Sequence, residues 1–265
     1  MHVDVGRLDE FYRRTRLGQL ARRAVTRALR EEWPETTGLD VAAVGFATPF
    51  LRPFLGEARR VVSFMPAAQG CVAWPADGDN ATALVEESRW PLPDCCVDRL
   101  VLMHAAETSD NLSALMGEAR RVLRPEGRLL LVVTNRHGLW AWFESTPLGH
   151  GRPFSAQQVR KLLTAHDLAP VGLRHVLYQP PWDRRWLLRG ARFFNATGRR
   201  LMAQNSALLM VEAQKQLLAI RPKGHAQRVV QAIPGLAMPP PIRPAVRAAN
   251  DLHAPAPEAP HPPQS

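Results

Sequence analysis

The 265-residue sequence predicts an α/β fold in which a mostly parallel sheet carries helices on both faces. Three observations predict it. From residue 40 onward, short β-rich runs alternate with stretches whose apolar residues recur every three or four positions. One of the short runs, "RLLLVVTN", is apolar almost without interruption, as a strand buried on both faces must be. Length and an apolar fraction of 46% suffice for one sizeable core.

Taken in order, residues 8–33, "LDEFYRRTRLGQLARRAVTRALREEW", read as one amphipathic helix. Leu17, Leu20, Ala24 and Ala28 form its apolar stripe, Arg13, Arg16, Arg23, Arg27 and Arg30 occupy other faces, and Pro34 ends it. Its charges leave no deep apolar face, so it suits packing on the following domain better than a membrane surface. "DVAAVGF" and "RRVVSFM" are the first two strands. Between them "TPFLRPFLGEA" holds a helical turn or two, with Thr48 as N-cap, Pro49 at the first helical position and Pro53 limiting it. "CVDRLVLMHAA" is the next strand, "NLSALMGEARRVLRPEG" a helix closed by Gly127, and "RLLLVVTN" follows it. Ser155 and Gln158 form a capping box for the helix in "GRPFSAQQVRKLLTAHDL". "VGLRHVLYQP" and "ALLMVEAQKQL" are two late strands joined through a basic, aromatic segment at 182–200, which suggests an antiparallel edge. After Leu236 a Pro/Ala-rich composition predicts a disordered tail. The expected organisation is an N-terminal helix at 1–37 packed on the domain, an α/β domain at 38–236 and a tail at 237–265.

Composition excludes more than it selects. Every apolar run is interrupted by Arg, Glu or Pro before it reaches the length of a membrane span, and the first residues lack the apolar core of a signal peptide. A cytoplasmic protein is the expectation. The three cysteines, Cys71, Cys95 and Cys96, have neither disulfide nor zinc spacing, and no metal is expected. The net charge of +10, almost all from arginine, favours an anionic surface or an acidic protein as partner without choosing between them.

The stretch "VAAVGFATPF" is the most informative one. It reads as a buried strand running into the turn of a nucleotide-type site, but Gly45 is the sole glycine in it. In open α/β sheets ligands bind beyond the carboxyl ends of the strands, where the topology switches. That edge comprises residues 45–49, 65–67, 86–89 and 104–107, enough for a cofactor-sized crevice of unspecified chemistry.

The order of motifs adds a family. "LVEESRWPLPDCCVDRLVLMHAAE" followed by "EARRVLRPEGRLLLVVTNRHGLWA" resembles the class I S-adenosylmethionine-dependent methyltransferases, in their type 11 branch. There a "LPFPDxSFDxV" segment precedes the fourth strand and "RVLxPGGxLLxxxP" joins helix to fifth strand. The resemblance spans about 38–215 and is strongest over 84–135. It implies a Rossmann-like, seven-stranded, mostly parallel sheet with an antiparallel edge strand, S-adenosylmethionine as cofactor, and methyl transfer to an unidentified acceptor. The family's first motif is an acid, any residue, then three alternate glycines; here those positions are Ala43, Gly45, Ala47 and Pro49. The family's ribose-binding acid falls on Met65, and its adenine-facing acid on Glu86, with Glu87 beside it. The resemblance thus assigns cofactor contacts to Gly45, Phe46, Ala47, Thr48, Met65, Glu86, Glu87 and His104. The missing ribose acid alone weakens such a site about ten- to a hundredfold.

Methyl transfer is an in-line displacement from a sulfonium, catalysed largely by positioning, and it needs a base only for a protonated acceptor. The sequence therefore names no catalytic residue; His104 and Glu107 are placed near the reaction by position alone. Asn135 and Arg136 lie near the expected substrate mouth, and "TPLGHGRPFS" at 146–155 reads as an ordered acceptor-side loop whose His150 and Arg152 suit an anionic group. Two other readings stand beside the enzyme. One is a catalytically inactive methyltransferase-like binding or regulatory protein, suggested by the altered glycine motif. The other is a nucleic-acid or membrane-surface protein using the arginine-rich segments and the aromatic residues at 182–200.

Overall fold

The computed structural model describes residues 5–67, 70–143, 146–183 and 205–216. The chain divides into residues 1–220 and 221–265, and every described residue belongs to the first unit. The expected tail, and the aromatic segment beyond Asp183, lie outside the described residues.

Two helices, not one, open the chain: α1 (Val5–Arg14) and α2 (Arg16–Glu32). The break falls at Thr15, whose extended backbone (φ −83°, ψ 147°) leaves its hydroxyl to accept from the Gly18 N–H at 2.9 Å. Glycine is required at position 18, because a Cβ there would stand 1.9 Å from the Phe11 carbonyl oxygen. The break also turns the stripe. Leu17, Ala21, Val25, Ala28 and Leu29 are buried on α2, while Leu20 and Ala24 are only partly buried. On α1 the buried face is Val5, Leu8, Phe11 and Tyr12, at helical spacing.

Seven strands form one sheet: β1 (Asp40–Gly45), β2 (Arg60–Pro66), β3 (Thr82–Val85), β4 (Val97–Met103), β5 (Leu123–Thr134), β6 (Leu168–Val176) and β7 (Leu208–Lys215). Their order is β3-β2-β1-β4-β5-β7-β6. The first five run parallel, and β7 is antiparallel to both its neighbours. The reversed strand therefore lies one place in from the edge, with β6 outside it. The fold class is the expected one.

Two local details differ from expectation, and a third bears it out. Helix α3 (Thr48–Leu51) starts at Thr48 itself, with Ala47 as cap, and passes into a 3₁₀ turn at Arg52–Phe54 around Pro53. Helix α4 (Leu112–Val122) stops before Gly127, because Leu123 already pairs with Val97 in the sheet. Helix α5 (Ala156–Ala165) carries the full Ser155–Gln158 capping box.

The sheet separates two cores. On one face α1, α2 and α3 bring Tyr12, Phe46, Phe50, Met65 and Met103 together. On the other, α4 and α5 cover Leu100, Leu102, Leu131 and Val133. At the amino ends of β1 and β4 the chemistry is ionic. Asp98 accepts from the Asp40 N–H at 2.9 Å and from Arg124 at 2.7 Å, and Arg59 pairs with Asp40. The Arg59 hydrogen bond holds the Asp40 carboxyl below the usual carboxylate range.

Among the described residues no helix is long and apolar enough to cross a membrane, and no cluster of His, Cys, Asp or Glu could hold a metal ion. Cys71 and Cys95 are exposed free thiols, and Cys96 is a part-buried one.

Candidate functional site

β1 and β4 are neighbours, yet the chain leaves them toward opposite sides of the sheet, and a crevice lies beyond their carboxyl ends. Gly45 closes β1 with φ +89°. A Cβ on it would meet the Met103 carbonyl oxygen at 2.2 Å, so the close approach of the two strand ends dictates glycine. The Phe46 N–H then donates to that same oxygen at 3.0 Å.

His104 follows β4 in the left-handed region (φ +53°), a conformation uncommon for a residue with a side chain and concentrated at functional sites. Its Nε2 lies 2.9 Å from the Tyr12 hydroxyl of α1 and its Nδ1 3.1 Å from Glu107 Oε1. Glu107 Oε1 also accepts from the Thr134 N–H at 2.7 Å and the Thr134 hydroxyl at 3.2 Å. Tyr12, His104, Glu107 and Thr134 thus form one buried polar chain drawn from α1 and the ends of β4 and β5. With Glu107 ionised, His104 donates from Nδ1 and accepts the tyrosine proton at Nε2. Burial first, and the Glu107 charge second, push the Tyr12 pKa far above its ordinary value. The phenol stays neutral.

The Tyr12 ring is held on three sides. It stacks on Phe46 (6.0 Å, 19°) and on His104 (6.1 Å, 24°) and meets Phe50 edge-on at 5.0 Å. The 146–155 loop lies over Glu107: Gly151, at φ +88°, brings its backbone against the Glu107 side chain, and the Arg152 N–H donates to the Glu107 carbonyl at 3.0 Å. Here too a side chain would crowd the contact, with a Cβ only 3.1 Å from Glu107 Cβ.

The residues expected from sequence divide into two groups. Gly45, Phe46, Ala47, Thr48, Met65 and His104 come together at the strand ends, but Phe46, Ala47, Thr48 and Met65 have no exposed surface. Met65 belongs to the apolar core, which is why no acid stands there. Glu86 and Glu87 follow β3, on the far side of β2. Glu86 is exposed and bridges Arg89, whereas Glu87 accepts from the Ser109 hydroxyl at 2.7 Å and the Asn111 N–H at 3.3 Å, tying down the turn before α4. Asn135 joins chain ends: its N–H reaches the Ala207 carbonyl at 2.9 Å, and its amide reaches the Ser206 carbonyl at 2.9 Å. Sequence reasoning missed Tyr12, Phe50 and Thr134. The available signal for Tyr12 was an aromatic pair, Phe11 and Tyr12, inside an otherwise arginine-flanked stripe.

The sheet order and the crevice at the β1/β4 switch define the class I methyltransferase fold. Residues 67–131 match a family model described as "Methyltransferase domain", the type 11 model. No curated protein matches the chain. Among solved structures, a Thermotoga maritima S-adenosylmethionine-dependent methyltransferase, described as a possible histamine N-methyltransferase, is similar at 14% identity. The alignment covers 80% of this chain and 97% of that one, with a TM-score of 0.56. A putative methyltransferase of Haloferax volcanii, solved with the Trm112 methyltransferase activator, is similar at 16% identity over 79% and 98% of the chains, TM-score 0.53. The geranyl diphosphate C-methyltransferase of Streptomyces coelicolor A3(2), solved with Mg2+, geranyl diphosphate and S-adenosylhomocysteine, is similar at 16% over 73% and 77%, TM-score 0.51. The family model covers the middle of the fold, and the solved structures share the class I methyltransferase fold over most of the chain. S-adenosylmethionine is the cofactor in the description of the Thermotoga maritima protein.

With α1 in this position the space directly beneath it, beside His104 and Glu107, is too small for that cofactor. The void between α1 and the strand ends, lined by Leu8, His104, Glu107, Thr134 and His150 among others, has a volume of about 10 Å³, room for one water. A nucleoside-sized ligand needs roughly 300 Å³ or more. Its wall is nevertheless not fully satisfied: Glu107 Oε2 is buried without a hydrogen-bond partner, as is Thr48 Oγ1 at the start of α3.

Proposed function

We propose that this protein transfers the methyl group of S-adenosylmethionine to an acceptor bound beyond the carboxyl ends of β1 and β4. The cofactor's place is the region that α1 covers, bounded by Gly45, Phe46, Ala47, Thr48, Met65 and His104, with Glu86 and Glu87 on its outer side. The observation that carries the reading is the pair of unmet oxygens, Thr48 Oγ1 and Glu107 Oε2, at the switch point of this fold. Each costs about 1–3 kcal/mol while it lacks a partner, and a polar ligand is what would supply one. His104 and Glu107 are the groups able to hold a proton lost by the acceptor, since His104 is already oriented by the carboxylate.

Related folds act on chemically unlike molecules, so the fold does not select the acceptor. An anionic partner suits the groove between α2 and α3, of about 580 Å³, which Arg22, Arg23, Arg27, Arg30 and Arg52 line. The exposed thiols Cys71 and Cys95 suit a reducing, cytoplasmic setting.

The test is calorimetric titration of the full chain with S-adenosylmethionine and S-adenosylhomocysteine. Saturable binding at one site per chain is expected, with weak affinity because Met65 replaces the ribose acid. Absence of heat and of any melting shift at millimolar ligand would remove the methyl-transfer reading and leave a protein that uses the fold for binding or regulation.

A further inference from the structure

We infer that α1 is a built-in gate: its Tyr12 side chain occupies the crevice as an internal ligand, and cofactor entry requires α1 to swing out about Thr15. The inference rests on the methyl-transfer reading and adds control of the same site.

Tyr12 is wholly buried, and apart from Phe11 of α1 the rings around it come from the strand ends and the helix that follows β1. Phe46 comes from the turn after β1, Phe50 from α3, and His104 from the end of β4. The same tyrosine satisfies His104, whose Nε2 has its hydrogen bond there. Leu8, one turn earlier on α1, closes the remaining void. An adenosylmethionine molecule and the Tyr12 ring cannot share the space beside His104 and Glu107, where about 10 Å³ is left.

The geometry of attachment favours movement of α1 as a unit. One extended residue, Thr15, separates it from α2, so rotation at a single residue can move α1 while α2 keeps Ala21, Val25 and Leu29 in the core. Gly18 permits the fold-back by letting the Phe11 carbonyl approach closely. The outward face of α1 carries Arg7, Glu10 and Arg14, which are already in water. The closed form is also imperfect, because it leaves Glu107 Oε2 and Thr48 Oγ1 without partners. A packed but incompletely satisfied element is what a two-state gate needs: each state lacks something the other has.

Closure by α1 lowers the apparent affinity by the fraction of molecules that are open. A series in the full chain therefore tests it. Tyr12→Phe keeps the ring and loses the hydrogen bond; Tyr12→Ala removes both. Affinity for S-adenosylhomocysteine, measured by calorimetry, should rise from wild type through Tyr12→Phe to Tyr12→Ala, reaching tenfold or more. Hydrogen exchange of wild type gives an independent reading. Saturating S-adenosylhomocysteine should speed exchange along residues 5–14 while slowing it at the ends of β1 and β4. Equal affinities across the series, or slower exchange in α1 on binding, would overturn the gate and leave the methyltransferase reading intact. No binding by any form would overturn both. If Tyr12→Ala does not fold, the exchange measurement on wild type decides alone.

Discussion

The two ends of the same central strands solve the burial of polar groups in opposite ways. At the amino ends of β1 and β4, Asp40 and Asp98 meet Arg59 and Arg124 at the protein surface, where charge is matched by charge and water reaches the arginines. At the carboxyl ends, His104, Glu107 and Thr134 are sealed under Tyr12, charge is met by neutral donors, and two oxygens go unmet. The first arrangement is the more tolerant, because its arginines are part-exposed and water can replace them. The second is not, since a desolvated polar chain is worth more when complete and costs more when broken. The intolerant end is the one at which open α/β sheets bind ligands.

The largest break in that contrast is expected from Gly45→Val. Its Cβ would stand 2.2 Å from the Met103 carbonyl oxygen, at a backbone angle β-branched residues avoid. A loss of about 3 kcal/mol or more is expected by chemical denaturation, and a variant as stable as wild type would show that the strand ends do not meet as described. Next comes Glu107→Ala, which strands the Thr134 N–H and the His104 ring in a dry site. We expect a loss of about 2 kcal/mol, with Glu107→Gln recovering much of it because the amide oxygen still accepts from Thr134. If Gln is no better than Ala, the carboxylate's charge and not its hydrogen bonds holds the chain together.

The smallest effect belongs to the amino end. Arg59→Ala removes the partner that chiefly depresses the Asp40 carboxyl. At neutral pH a loss of about 0.5–1 kcal/mol is expected, since Arg59 is half exposed. A carboxyl with a depressed folded pKa contributes stability above its ordinary pKa and loses it as pH falls through the depressed value. The melting difference between wild type and Arg59→Ala should therefore be constant near neutrality and vanish once the pH has dropped through the depressed Asp40 value. A difference that persists in acid would assign the effect to packing of the arginine stem instead.

How much of this was legible beforehand follows from what each residue depends on. β1, β2, β4 and β5 declared themselves because burial on both faces writes unbroken apolar runs. β3 did not, being four residues long with its two middle residues exposed. The crevice could be placed at residues 45–49 and 104–107 from the order of strands, and Gly45 was singled out correctly as the turn. Its neighbours were harder. The replacement of the ribose acid by Met65 looked like loss of a contact, whereas the buried methionine is part of the core under α1. The break at Thr15 is set by one hydroxyl and one glycine inside a continuous helical pattern. The meeting of Tyr12 with His104 joins residues 92 apart in sequence, and no local pattern encodes it. Periodicity reports the environment of an element, not the identity of what it touches.

The sheet also ends in two unequal margins, and their shapes bear on behaviour in concentrated solution. β3 offers only four residues to an incoming strand. β6, the opposite margin, is longer, but it carries Pro170 and an irregular register between Pro170 and Gly172. A proline supplies no N–H to a new neighbour, and a bulge twists the margin away from a flat template. Neither rim offers a long, flat template for backbone pairing, so the outermost strands work against fibrous self-assembly.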